Sequence, residues 1–166
     1  MVSWSLFRVM IPTLIVVKIA QDLGVVDILD IWLKPITELI GLPASLSIVL
    51  TTTMLTNPYA GLIVLASLDM PSGLSVAETS ILASFMLFAH ALPVEAVISR
   101  QAGTKIIFVV LLRIFTAIIF CFILSQFLSR FDLLQKIAVI HLPEFQVMPS
   151  WLEWSLDQIK GLIFIQ

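Results

Sequence analysis

The stretch SIVLTTTMLTNPYAGLIVLASL, residues 47–68, decides the fold. It is long and apolar enough to cross a bilayer, yet its middle carries Thr51, Thr52, Thr53, Thr56 and then Asn57-Pro58. Proline lacks an N–H and its ring clashes with the preceding turn. A helix arriving from Leu46 therefore stops near Thr56, and another begins at Pro58. Asn57 suits the N-cap of the second helix and Pro58 its first position, where the missing N–H costs nothing. Peptide groups freed by such a break go unsatisfied in hydrocarbon unless protein, water or a ligand meets them. Two readings stay open. Transporters aim half-helix ends at a bound solute or ion, and packing kinks are closed by threonine hydroxyls bonding back onto their own helix.

Composition narrows the class. Hydrophobic residues make up 60% of the 166 and charged residues 12%, and mean hydropathy is +1.10. Soluble domains run at roughly 45–50% apolar and 25% charged. An integral membrane protein is expected, with the lipid bilayer as its first partner and room for about four or five passes. That is small for a transporter, so an oligomer or a partner subunit is expected. A net charge of −2 without any Lys/Arg cluster excludes a nucleic-acid surface. Cys121 is the single cysteine and lies in an apolar run, where it reads as a small core residue.

Outward from the broken stretch, residues 6–23 form a first membrane segment that lacks a secretory cleavage signature and reads as retained. Lys18 and Asp22 lie four apart there and can pair, although snorkelling of Lys18 is the favoured reading. Residues 25–41 place Asp27, Asp30, Lys34 and Glu38 on one side of an interfacial helix, with Trp32 at headgroup level, a kink at Lys34-Pro35 and Gly41 as its C-terminal cap. Ser75 with Glu78 has capping-box spacing. The run from Ser75 then repeats the earlier plan, with an interruption at His90-Ala91-Leu92-Pro93 and a short helix to about Gln101. Paired interrupted segments point to a transporter binding site.

Residues 104–130 read as one continuous membrane helix with Arg113, Thr116, Ala117 and Ser125 on one side, facing protein or water. Residues 131–149 read as an interfacial excursion, and Ser150 with Glu153 opens a last apolar helix. The turn around residues 69–78 has no Lys or Arg and suggests the non-cytoplasmic side, while Arg100 and Lys105 suggest the cytoplasmic one.

Glu95, in the first turn of a half-helix, is a candidate for holding a cation, a proton or a polar solute, and it needs a basic partner. Arg113 is the first choice of partner and Arg100 the second. His90 ends the preceding half-helix, either protonated and favoured by the dipole or neutral and bonded to freed carbonyls. Thr53, Thr56 and Asn57 can hydrogen-bond a solute or simply seal the break, and Tyr59 can stack on a ring or anchor at an interface. No ligand spacing supports a metal site or a cofactor. Enzyme signatures are missing: no nucleophile elbow, HExxH or phosphate-binding glycine loop.

The motifs MLTNPYAGL, residues 54–62, and AHALPVEAVI, residues 89–98, resemble those of the gate-domain or "nucleoside recognition" membrane family. Its relatives include the spore maturation proteins A and B and, more distantly, the gates of concentrative nucleoside transporters and the ferrous-iron transporter B core. The resemblance runs from about Arg8 to Trp151 and is specific in the two broken segments. It implies a gate of helical hairpins whose interruptions line a pathway, with Asn57, His90 and Glu95 at the matching positions.

The expectation is therefore an all-α polytopic integral membrane protein with two broken-helix hairpins and interfacial amphipathic helices. It would form one membrane domain over residues 1–166, with a gate-like core at about 44–130. It would sit in the inner, cytoplasmic membrane as a homo-oligomer or beside a second gate-type subunit, and move or gate a small polar solute or ion. The second hypothesis is a subunit that assembles with or regulates a partner. An intramembrane enzyme using Glu95 and His90 ranks last, because no nucleophile or metal set accompanies them.

Overall fold

The computed structural model describes residues 22–68 and 73–139, together with Pro12, Ile15, Val16 and Ile19. The Lys18–Asp22 pairing, part of the first membrane segment and the helix expected after Ser150 lie outside the described residues. Among the described residues, six α-helices follow Gly24: α1 Val25–Leu39, α2 Ser47–Leu55, α3 Pro58–Ser67, α4 Val76–Ala89, α5 Leu92–Gln101 and α6 Ile106–Arg130. A short 3-10 turn, Ala44–Leu46, leads into α2.

Glycine sets the end of α1. Gly41 takes φ 79°, its N–H reaches the Glu38 carbonyl at 3.0 Å, and the Leu42 N–H reaches Thr37 at 3.0 Å. That pair of bonds is the Schellman closure, which needs a left-handed residue. The same closure ends α5 at Gly103 and, with Asp132 in the left-handed position, ends α6. Pro35 sits inside α1, which runs unbroken to Leu39. Lys34 pairs with Asp30 at 3.2 Å, and Asp30 also accepts from the Ser47 hydroxyl. The polar side of α1 is thus tied to the start of α2.

α2 is the hub. Ser47, Val49, Leu50, Thr51, Thr52 and Thr53 are all buried, and α1, α3, α4 and α5 pack around it. A helix covered on most sides offers its hydroxyls little water, so they turn to backbone partners where they can. Thr53 Oγ1 donates to the Val49 carbonyl at 2.8 Å and Thr56 Oγ1 to Thr52 at 2.6 Å.

The two interruptions differ in shape. At the first, Thr56 and the extended Asn57 reverse the chain, and α3 returns along α2 so closely that a Cβ on Gly61 would run into Thr53 Oγ1. At the second, His90 is extended and Ala91 left-handed, φ 47°. α5 leaves α4 there and packs on α6 instead. Of the two expected hairpins only the first folds back, and only there does a residue without a side chain face the preceding half-helix. Val76–Gln101 together make a 26-residue run long and apolar enough to cross a membrane, and Ile106–Arg130 makes a 25-residue one. At 1.5 Å per residue the latter is about 37 Å long, more than the roughly 30 Å hydrocarbon core. Its outer face exposes Phe108, Leu111, Phe115, Ile119, Ile123 and Phe127, a surface suited to lipid. Thr116, expected with Arg113 on the protein side, is exposed.

The excursion after α6 has a definite role. It runs antiparallel beside the start of α4, so that the Val76 N–H meets Lys136 at 2.8 Å and the Ala77 N–H meets Leu134 at 2.9 Å. Ser75 and Glu78 form the capping box, with Ser75 Oγ accepting from the Glu78 N–H at 3.1 Å and Glu78 Oε2 accepting from the Ser75 N–H at 2.7 Å. The Thr79 N–H bonds the Ser75 carbonyl. All four orphan amides of α4 are therefore met. Ser75→Ala is expected to cost about 1 kcal/mol in chemical unfolding, the usual worth of an N-cap, and no more, since Val76 and Ala77 keep their partners.

Candidate functional site

α4 ends inside an apolar run with neither a glycine nor a backbone closure, which leaves its last carbonyls exposed to hydrocarbon. Two side chains meet them. His90 Nδ1 lies 3.1 Å from the Met86 carbonyl and 2.9 Å from Leu87. Arg113 Nε, reaching over from α6, donates to Phe88 at 2.8 Å. Both side chains then turn their remaining hydrogen-bonding atoms to one residue: His90 Nε2 lies 2.9 Å from Glu95 Oε1, and Arg113 Nη1 pairs with Glu95 Oε2. Glu95 itself is in the first turn of α5, where the helix dipole favours a carboxylate. One cation–anion–imidazole set therefore ties the end of α4, the start of α5 and the middle of α6.

The triad is not sealed. His90, Glu95 and Arg113 keep 28%, 32% and 22% of their side chains accessible. A cavity of about 480 Å3, almost wholly apolar, opens next to this break between α5, α6 and the chain around Pro12 and Val16, with Leu92 and Pro93 in its wall.

The two breaks also meet. The Ala91 N–H, freed at the second break, donates to the Thr53 carbonyl, freed at the first, at 3.0 Å. Each interruption supplies what the other lacks.

Of the residues singled out from the sequence, His90, Glu95 and Arg113 converge, and Thr53 joins them through its main chain. Asn57, Thr56 and Tyr59 belong to the first hairpin. Asn57 Oδ1 accepts from the Ala60 N–H at 2.9 Å, capping α3, Thr56 bonds back to Thr52, and Tyr59 is exposed. Arg100 lies at the far, exposed end of α5. Cys121 is buried, with Sγ 3.5 Å from the Ile81 carbonyl, a packing role. Sequence reasoning missed Phe88 and Ala91, whose main chains carry their part. Thr51, named among the threonines of the broken stretch but not among the candidate site residues, has a buried hydroxyl with no hydrogen-bond partner among the described residues. Among the described residues no His/Cys/Asp/Glu group is arranged to hold a metal ion.

The chain is similar to the uncharacterized membrane protein YvoD of Bacillus subtilis (strain 168), with 32% identity over 112 residues. The match covers 68% of this chain and 35% of that one, about a third of the relative's length. No family model matches, and no solved structure matches. With that relative and two helices of spanning length, the chain is a membrane protein.

Proposed function

We propose that this membrane protein gates or moves a small polar solute or ion along a path lined by its two interrupted helices, as the resemblance to gate-domain proteins implies. The observation that carries the reading is the meeting of the breaks beside a partly accessible charged triad: Ala91 to Thr53, with His90, Glu95 and Arg113 next to it. A membrane segment that serves only as an anchor has no use for three ionisable groups at one helix break, and such groups are costly in hydrocarbon. The Thr51 hydroxyl, without a hydrogen-bond partner among the described residues, adds a polar group on the same half-helix. On this reading the protein is not an enzyme, sits in the inner membrane, and works with a second copy of itself or a second gate-type subunit.

One observation favours a second reading, a subunit that assembles with or regulates a partner. Thr53, Thr56 and Asn57 already use their side chains on their own backbone, as residues that merely close a break would.

A thermal-shift screen of the purified protein against nucleosides, nucleobases and divalent cations separates the two. A solute that binds only the folded state at 100 times its Kd adds about 2.7 kcal/mol, a visible shift. The gate reading expects a hit that disappears in Glu95→Gln and in Asn57→Ala. Silence across the panel, with both variants simply less stable, would sink it in favour of the assembly reading.

A further inference from the structure

His90 is held on both sides by groups that need a hydrogen from it. The Met86 and Leu87 carbonyls at Nδ1, at 3.1 and 2.9 Å, accept and cannot donate, so Nδ1 carries a hydrogen. Nε2 faces Glu95 Oε1 at 2.9 Å, and a pair at that distance holds a hydrogen on one atom or the other. A neutral imidazole has one N–H, which Nδ1 already uses. The pair therefore contains one proton more than a neutral histidine beside a carboxylate.

We propose that His90 and Glu95 are a proton-binding site, and that the bound proton latches the joint between α4 and α5. When the proton leaves, the single remaining hydrogen can serve one side only. If it stays on Nδ1, a nitrogen lone pair faces Glu95. If it moves to Nε2, the Met86 and Leu87 carbonyls lose their cap. In either case α4 and α5 lose one of the ties that hold His90 and Ala91 in their present backbone conformations.

Among the described residues, other charges do not confuse the assignment. From α6 the group facing the pair is Arg113, which stays charged. α2, packed against both α4 and α5, has no titratable side chain. Glu78 is in the capping box at the opposite end of α4, Arg100 is in the last turn of α5, and Lys105 precedes α6. The inference deepens the gate reading and rests on it for purpose, since it names a proton as the ion that couples to the gate.

The test uses the full chain carrying His141→Gln, which leaves His90 as the one histidine of the original two. Ring-nitrogen NMR is followed over a broad pH range, together with hydrogen-exchange protection of the Ala91 amide. Both ring nitrogens should be protonated at the acid end, and one proton should be lost in a step that coincides with about a tenfold drop in Ala91 protection. In Glu95→Gln the side-chain amide can donate to Nε2, so the ring should be neutral and Ala91 protection should no longer follow pH. A ring found with its only hydrogen on Nε2 throughout, or a proton loss that leaves Ala91 unchanged, overturns the proposal. If Glu95→Gln does not fold, the ring shifts and Ala91 protection of the parent decide alone. No solute is present, so failure of the latch leaves the gate reading standing, and an empty solute screen leaves the latch.

Discussion

Arg113→Met is expected to be among the most damaging single substitutions in the chain. It removes the cation paired with Glu95 and the donor to the Phe88 carbonyl in one step. Breaking one partner of a buried ion pair costs about 3–5 kcal/mol, because the other charge stays desolvated without compensation. Glu95 keeps 32% of its side chain accessible and still faces His90, so the lower end applies. Arg113→Lys should fall between. An ammonium can keep the charge near Glu95, but it has no second, fixed N–H to hold Phe88 at the same time. The double variant Arg113→Met/Glu95→Gln should recover at least half of the loss, since it leaves no charge alone in a low-dielectric site. Chemical unfolding of the parent and the three variants in one detergent reads this directly. A loss below about 1 kcal/mol for Arg113→Met would mean that the pair behaves as a screened surface ion pair, and would remove the electrostatic basis of the site.

How much of this was legible in the sequence depends on the range of the interaction involved. Local signals read well: Asn57-Pro58 as cap and first helical position, Ser75 with Glu78 as a capping box, and Gly41 as a left-handed helix end all act within about one turn. Pro58 and Pro93 told where helices stop, but proline fixes its own φ and says little about the direction of exit. The direction is set by the linking residues. Asn57 is extended and the first hairpin closes, whereas Ala91 is left-handed, a conformation rare outside glycine and signalled by nothing in its side chain.

The site was half legible for the same reason. Glu95, His90 and Arg113 stand out because ionisable groups are rare in apolar segments. Their main-chain partners do not, since every residue has a carbonyl. The bond from Ala91 to Thr53 joins residues 38 positions apart, 91 against 53, and the return of residues 134–138 along the start of α4 joins residues still farther apart. Pairings of that range are decided by packing, which the pattern of one strand or helix does not encode.

Gly61→Leu is the substitution expected to connect the two breaks by experiment. A Cβ at this position lands on Thr53 Oγ1, 3.3 Å from Thr53 Cβ and 3.0 Å from Met86 Cε. Met86 can move, because the contact is the free end of an unbranched side chain. Thr53 cannot move cheaply: it is β-branched and wholly buried, its hydroxyl is bonded to Val49, and its carbonyl is bonded to Ala91. Rotating it puts a methyl group where the hydroxyl was. Gly61→Ala sets two effects against each other, a helix-propensity gain of about 1 kcal/mol and an overpacking cost of about 1–3 kcal/mol. It should come out slightly destabilising. Leucine adds three further carbons to the same space and should exceed about 3 kcal/mol. The more informative readout is at a distance. If α3 is pushed off α2, Thr53 shifts with it, and the Ala91 amide in the other break should lose exchange protection although nothing near it has been changed. Combining Gly61→Ala with Thr53→Ala, which removes the hydroxyl but leaves the carbonyl, should cost less than the sum of the two single changes, because the clash then has no second party. A Gly61→Ala protein stabilised by the full helix-propensity gain would instead show open space beside residue 61, and the close return of α3 along α2 would have to be abandoned.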